Sequence, residues 1–223
     1  MKLKFKKAFI FDLDGVIVDT AKFHFLAWKN LAESLDISFS EEENEQLKGV
    51  SRVKSLEKIL KWGNKTISEE KFNSLMAMKN EEYLSFVDAM STDDILPGVL
   101  ETLTYLKEND YPIALGSASK NARRILTKVK LNSYFEYIVD GNEVSKAKPD
   151  PEVFLKGCEL LGVEPKQSIV FEDSQAGIKA ANNAQMTSVG IGDELVLSEA
   201  DFNFKSFSEI SEDVLQTLIN FKK

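Results

Sequence analysis

Residues 9–16 read Phe9-Ile10-Phe11-Asp12-Leu13-Asp14-Gly15-Val16, a short apolar run that ends in two carboxylates one residue apart and then a glycine. The run has the character of a buried strand, and burying an unpaired carboxylate is expensive. Something therefore offsets Asp12 and Asp14: a metal ion, a bound cationic group, or solvent at an exposed strand end. Taken alone, the stretch is also an ordinary turn after a strand. The rest of the chain decides between these readings.

Further apolar runs stand before turn signals at 113–117, 137–140, 168–171 and 187–190. Helix-period segments lie between most of them, at 99–108, 122–130, 151–161 and 176–184. Alternation of continuous apolar strands with helices predicts an α/β fold, a Rossmann-like parallel sheet covered on both faces. One interval breaks the rhythm. From Asp19 to Asp94 no strand is predicted, while helical patterns cover 23–35, 41–47, 54–60 and 68–86. That interval reads as a helical domain, 19–94, inserted after the first strand, with 1–18 and 95–223 forming the core. Ligands of open α/β sheets bind beyond the carboxyl ends of the strands. The insert is therefore expected over the Asp12–Asp14 pair, as a cap.

The bulk numbers narrow the partners. The 223 residues suffice for one large or two unequal domains, and 43% hydrophobic with 29% charged residues is an ordinary globular balance. A net charge of -8 argues against a nucleic-acid surface, though it leaves room for a small basic pocket. No segment approaches the ~20 uninterrupted apolar residues of a membrane span, since Asp12 ends the first run. Cys158 is the single cysteine, which excludes an internal disulfide and points to the reducing cytoplasm. Asn64-Lys65-Thr66 fits a glycosylation pattern but, without an export signal, reads as coincidence.

Three more strand ends carry chemistry. Ser117 closes one strand and leads through Ala118-Ser119-Lys120-Asn121 into a helix, a loop offering N–H groups and hydroxyls to an anion. Lys148 follows another, between Lys146-Ala147 and Pro149-Asp150-Pro151, and brings a compact positive charge. Glu172-Asp173-Ser174 ends a third. Carboxylates, one lysine and a hydroxyl at one sheet edge suit magnesium-dependent phosphoryl transfer, because hard oxygen ligands hold Mg²⁺ and Lys with Mg²⁺ neutralises a phosphate. A metal would let Asp12 approach a phosphoryl group as nucleophile, with Asp14 as general acid and base.

These motifs, in this order and with a helical insert after the first, resemble the four motifs of the haloacid dehalogenase superfamily of phosphotransferases. Asp19-Thr20-Ala21 with His24 and Trp28, Lys48-Gly49-Val50-Ser51-Arg52, Ser117–Asn121 and the run Glu172–Ile178 resemble, more narrowly, its β-phosphoglucomutase family. That resemblance implies a mutase interconverting β-glucose 1-phosphate and glucose 6-phosphate through an aspartyl phosphate and β-glucose 1,6-bisphosphate. It implies that Asp12 is phosphorylated, that Asp14 moves the proton, and that Ser117 and Lys148 grip the transferring group. It further implies Mg²⁺ held by Asp12, the Asp14 backbone carbonyl and Asp173, with Glu172 at or beside the metal. Gly15, Thr20, His24, Trp28, Lys48, Gly49, Val50, Ser51, Arg52, Lys79, Ala118, Ser119 and Asn121 fall on its substrate-binding and hinge positions. A monomer is expected, with no nucleic-acid or membrane partner.

On residue type alone several of these read otherwise. His24 and Trp28, beside Phe23 and Phe25, suit core packing; Lys79 in Lys79-Asn80-Glu81-Glu82 suits a solvated face; Arg52 at a helix start is uninformative. Asp150 and Gly116 depart from the mutase pattern, without removing a functional group. Two rivals follow: a sugar-phosphate phosphatase with the same four motifs, and a catalytically silent sugar-phosphate-binding protein.

Overall fold

A computed structural model describes residues 7–47 and 50–223; Lys48 and Gly49 of the expected cap motif lie outside the described residues. The chain divides into two compact units, Met1–Asp19 with Ser91–Lys223, and Thr20–Met90.

The first unit is built on six strands: β1 (Ala8–Phe11), β2 (Ile113–Gly116), β3 (Tyr137–Val139), β4 (Ser168–Glu172), β5 (Thr187–Ile191) and β6 (Phe202–Phe204). They form one sheet in the order β3-β2-β1-β4-β5-β6, and every pairing is parallel. Strands β1, β2, β4 and β5 are buried throughout, as a sheet covered on both faces requires. Helices α5 (Val99–Glu108), α6 (Ala122–Lys128), α7 (Glu152–Leu161), α8 (Gln175–Asn183) and α9 (Glu212–Asn220) accompany them. The strand order matters for function. The chain runs outward from β1 through β2 to β3, then crosses back to β4 on the other side of β1, which makes the carboxyl edge between β1 and β4 a switch point.

Period-2 alternation sorts the two faces of β1. Phe9 and Phe11 stack on Phe171, and Phe207 closes the aromatic layer. Ile10 faces the opposite way, among Ala114, Phe154, Cys158, Val170 and Met186. Close approach of α7 explains two glycines there. A Cβ on Gly116 would sit 2.9 Å from a Phe154 ring carbon, and one on Gly157 3.3 Å from Ile10 Cδ1. The departure at Gly116 is thus a packing requirement. Strand β6 was not anticipated: three half-buried residues with Asn203 at the centre are too short to show a period.

The second unit is helical: α1 (Ala21–Glu33), α2 (Glu41–Glu45), α3 (Arg52–Trp62) and α4 (Glu69–Asp88). Serines start three of them. Ser40 and Glu43 form a reciprocal capping box, while Ser51 and Ser68 accept from the N–H of Lys54 and Lys71. Trp28, Leu31, Phe39, Leu56, Ile59 and Leu75 belong to its core.

Candidate active site

Sheet register brings the strand ends of the first unit together. Phe11 pairs with Leu115 and with Phe171, so Asp12 follows beside the ends of β2 and β4, and its N–H donates to Phe171 O at 3.0 Å. Beyond it the chain turns tightly, with Leu13 O accepting from the N–H groups of Val16, Ile17 and Val18. Gly15 stands in that turn at φ +79°, and a Cβ there would lie 2.1 Å from Asp173 Oδ2. The glycine is needed twice: for its backbone conformation and to leave room for the Asp173 carboxylate.

Lys148 is the centre of charge. Its Nζ donates to Asp12 Oδ1 at 2.7 Å and to Glu172 Oε1 at 2.6 Å, and lies 4.7 Å from the Phe154 ring centroid. Burial works against the ammonium, but Asp12 and Glu172 outweigh it and hold its pKa above the ordinary lysine value. Glu172 uses its other oxygen to accept from the N–H and hydroxyl of Ser174 at 2.7 and 2.9 Å. Ser174 in turn caps α8, accepting from Gly177 N–H. A Cβ on Gly177 would fall 1.9 Å from Glu172 Oε1. A cap, a glycine and a lysine thus fix one carboxylate.

Asp12, Glu172 and Asp173 each present a carboxylate oxygen within 4.8 Å of the others. Lys148 pairs with two of these carboxylates, those of Asp12 and Glu172. Desolvation, chiefly, with Glu172 and Asp14 adding to it against the pull of Lys148, raises the Asp12 pKa to about 7. An all-oxygen, electron-rich cluster of this kind fits a hard divalent cation, which would restore Asp12 to its ionised form.

Ser117 is fully buried at the end of β2; its N–H donates to Val139 O and its Oγ accepts from Ser119 N–H. The Ser119 hydroxyl repeats the pattern with Asn121 N–H. This nest of short turns places Ser117, Ala118, Ser119 and Asn121 on one loop, stitched to the neighbouring one by Gly141 N–H donating to Ser119 O at 3.2 Å.

In the helical unit, His24 Nδ1 lies 2.8 Å from Lys79 Nζ, and its ring stacks on Tyr83 at 4.2 Å. Lys79 lies over Trp28 and Tyr83 at 4.6 and 4.8 Å. Its relative exposure is 2%, so the solvated-face reading does not hold. Burial first, then Lys79 and Arg52, push the His24 pKa well below its ordinary value, so the imidazole is neutral. Half-buried Arg52 opens α3 directly after the Ser51 cap, and Val50 precedes them. Thr20 is buried, and its carbonyl accepts the N–H of Phe23 and His24. Trp28 is part of the helical core as well as a wall for Lys79.

The haloacid dehalogenase-like hydrolase family profile matches residues 9–191. The chain belongs to that family. Within it, the β-phosphoglucomutase of Bacillus subtilis is 42% identical over 212 residues, covering 94% of this chain and 93% of that protein. A crystal structure of β-phosphoglucomutase from Clostridium difficile superposes with a TM-score of 0.92 at 41% identity, covering 97% and 98% of the two chains. A phosphorylated carbohydrates phosphatase of Thermotoga maritima is 32% identical over 80% of this chain and 81% of its own. Enzymes of the haloacid dehalogenase family use a metal ion, and the acidic cluster at Asp12 is where this chain can hold one. No helix among the described residues is long and apolar enough to cross a membrane.

Several residues that shape the site carry no functional signature of their own. Ser174 and Gly177 lie within the quoted Glu172–Ile178 run, and only an N-cap reading of Ser174 hints at their work. Tyr83 is a fully buried helix aromatic whose ring carries both His24 and Lys79. Asp150 closes a local turn before α7: its Oδ1 accepts from Glu152 N–H at 3.1 Å.

Proposed function

We propose that the protein is a β-phosphoglucomutase, converting β-D-glucose 1-phosphate to glucose 6-phosphate through β-glucose 1,6-bisphosphate. The observation that carries this is the near-full-length likeness to the Bacillus subtilis β-phosphoglucomutase, which extends through the helical unit as well as the four strand-end motifs.

The residues have distinct tasks. Asp12 Oδ attacks a phosphorus and becomes an acyl phosphate as the sugar oxygen leaves. Asp14 gives that oxygen its proton and, in the opposite half-reaction, takes the proton of the attacking sugar hydroxyl. Lys148, held between Asp12 and Glu172, neutralises the phosphoryl oxygens and keeps Asp12 close to them. Ser117 donates its hydroxyl to the same group, and the Ser119–Asn121 loop receives the sugar. Arg52 holds the phosphate that is not transferring, because a guanidinium makes a paired contact with phosphate oxygens. His24 serves as a neutral acceptor for Lys79, a second cation, and feels the charge of Arg52 as well. Mg²⁺ bound by Asp12, Asp173 and the Asp14 carbonyl would screen the anionic nucleophile from the anionic phosphate, with Glu172 beside it.

Cytoplasmic residence suits the lone, buried thiol of Cys158, and a monomer suits a mechanism whose groups all come from one chain. The deciding experiment supplies β- and α-glucose 1-phosphate separately, with Mg²⁺ and a trace of bisphosphate, and measures glucose 6-phosphate and free phosphate together. Glucose 6-phosphate from the β anomer alone is expected. Free phosphate as the main product would make the chain a phosphatase.

A further inference from the structure

The loop that carries Lys148 runs from Asp140 to Pro151 without a helix or strand. Ser145 and Lys146 in it are exposed, yet Lys148 two residues on is buried. An exposed loop is the most mobile kind of backbone, and lysine adds a long flexible stem. Nothing in the Lys148 side chain itself fixes where the ammonium sits relative to Asp12.

The loop is fastened on both sides of Lys148. Before it, the Glu152 carboxylate accepts from Ser145 N–H at 3.0 Å, Ser145 hydroxyl at 2.8 Å and Lys146 N–H at 2.8 Å. After it, the Asn183 amide of α8 donates to Pro149 O at 3.1 Å. Glu152 is itself fixed. Its N–H donates to Asp150 Oδ1, and Lys156, one turn along α7, lies 3.1 Å from its Oε1 and also reaches the Glu143 carbonyl. Hydrogen bonds from Ser145 first of all hold its pKa down to about 2, so the acceptor is charged at every working pH.

We propose that Glu152 is a positioning residue for Lys148: it and Asn183 fasten the loop before and after the lysine, and so set where the ammonium meets Asp12 and Glu172. The proposal rests on phosphoryl transfer at Asp12 and adds to it a residue that touches no reacting atom. Displacement by about 1 Å can cost ~10²-fold in rate, so the loss should appear in kcat and leave KM nearly unchanged.

Two measurements test it. Amide hydrogen exchange needs no activity: in Glu152→Ala the Ser145 and Lys146 amides should exchange at least ~10-fold faster, while the β4 amides stay protected. Unchanged protection at Ser145 and Lys146 overturns the proposal. The second is a pair of mutant cycles. Glu152→Ala should lower kcat by roughly 10- to 100-fold in the wild type and in Arg52→Ala, but add little in Lys148→Arg, where the ammonium is already gone. Glu152→Gln keeps one acceptor oxygen and should recover part of the rate. The same loss in both backgrounds would mean a general structural defect, and would sink the idea. Turnover of acetyl phosphate is followed beside β-glucose 1-phosphate. A protein that hydrolyses the former and ignores the latter fails as a mutase, while the cycles remain readable.

Discussion

Asp12 stands where burial and charge pull against each other. Its folded pKa of about 7 lies above the ~3.9 of an unfolded aspartate. Between those values the folded protein binds more protons than the unfolded one, so the metal-free protein loses stability from this group as pH rises from about 4 through about 7. Thermal midpoints in chelator across that window should fall more steeply for the wild type than for Asp12→Asn, which has no such proton to lose. In catalysis the two aspartates separate. Asp12→Asn should form no phosphoenzyme, whereas Asp14→Asn should still bind metal and phosphate but lose ~10²–10⁴ in rate, the usual worth of a general acid–base. A fully active Asp14→Asn enzyme would assign the proton to another residue. Gly15→Ala tests the close approach at Asp173. It should weaken metal binding at least ten-fold, seen by titration calorimetry, with the far-ultraviolet circular dichroism preserved.

Helix starts and strand ends present the working groups. Ser51, itself extended, caps α3 through Lys54 N–H, so that Arg52 is the first residue of a helix. Arg52 shares the helical unit with Lys79, and the neutral imidazole of His24 adds no further positive charge. A charge-assisted contact is worth roughly 1.5–3 kcal/mol. Arg52→Ala should therefore cost about one to two decades in kcat/KM for β-glucose 1-phosphate, and much less in hydrolysis of phosphorylated Asp12. Arg52→Lys should recover only part, since an ammonium keeps the charge and loses the fork. Unchanged mutase flux in Arg52→Ala would remove Arg52 from the distal phosphate.

The whole protein couples its stability to the metal through the same acidic cluster. Anything that binds the folded state alone stabilises it by mass action. Mg²⁺ should therefore raise the thermal midpoint above pH 7, and an Asp12→Asn, Asp173→Asn double variant should lose that response. Excess chelator should abolish turnover and added Mg²⁺ restore it; full turnover in chelator would show that no metal is needed. Ca²⁺ should substitute poorly, because its larger and looser coordination sphere misplaces the phosphoryl oxygens.

The architecture was legible because its signals are local. Continuous apolar strands at 8–13 and 168–171 and the strandless helical stretch after Asp19 report burial and period directly, and Asp12 and Glu172 announce chemistry by standing charged at the ends of buried runs, whereas Lys148 sits within the loop after β3. Strand β6 escaped because Phe202-Asn203-Phe204 is too short for a period and owes its place to pairing with β5. Residue type alone leaves Lys79 between a solvated face and a site role for a related reason. Its stretch of sequence is charged, but the lysine lies buried against Trp28 and His24 of α1, a contact between helices, and against Tyr83 one turn along its own helix. Glu152 is the fullest case. In the sequence it is an unremarked acid at a helix start, and only the folded loop brings the Ser145 and Lys146 amides to it. Residue type and spacing determine which strands form and which ends bear charge, because those depend on neighbours along the chain. Which side chain holds which in place is decided by contacts between segments far apart or folded back on themselves, and those exist only once the sheet has set its order.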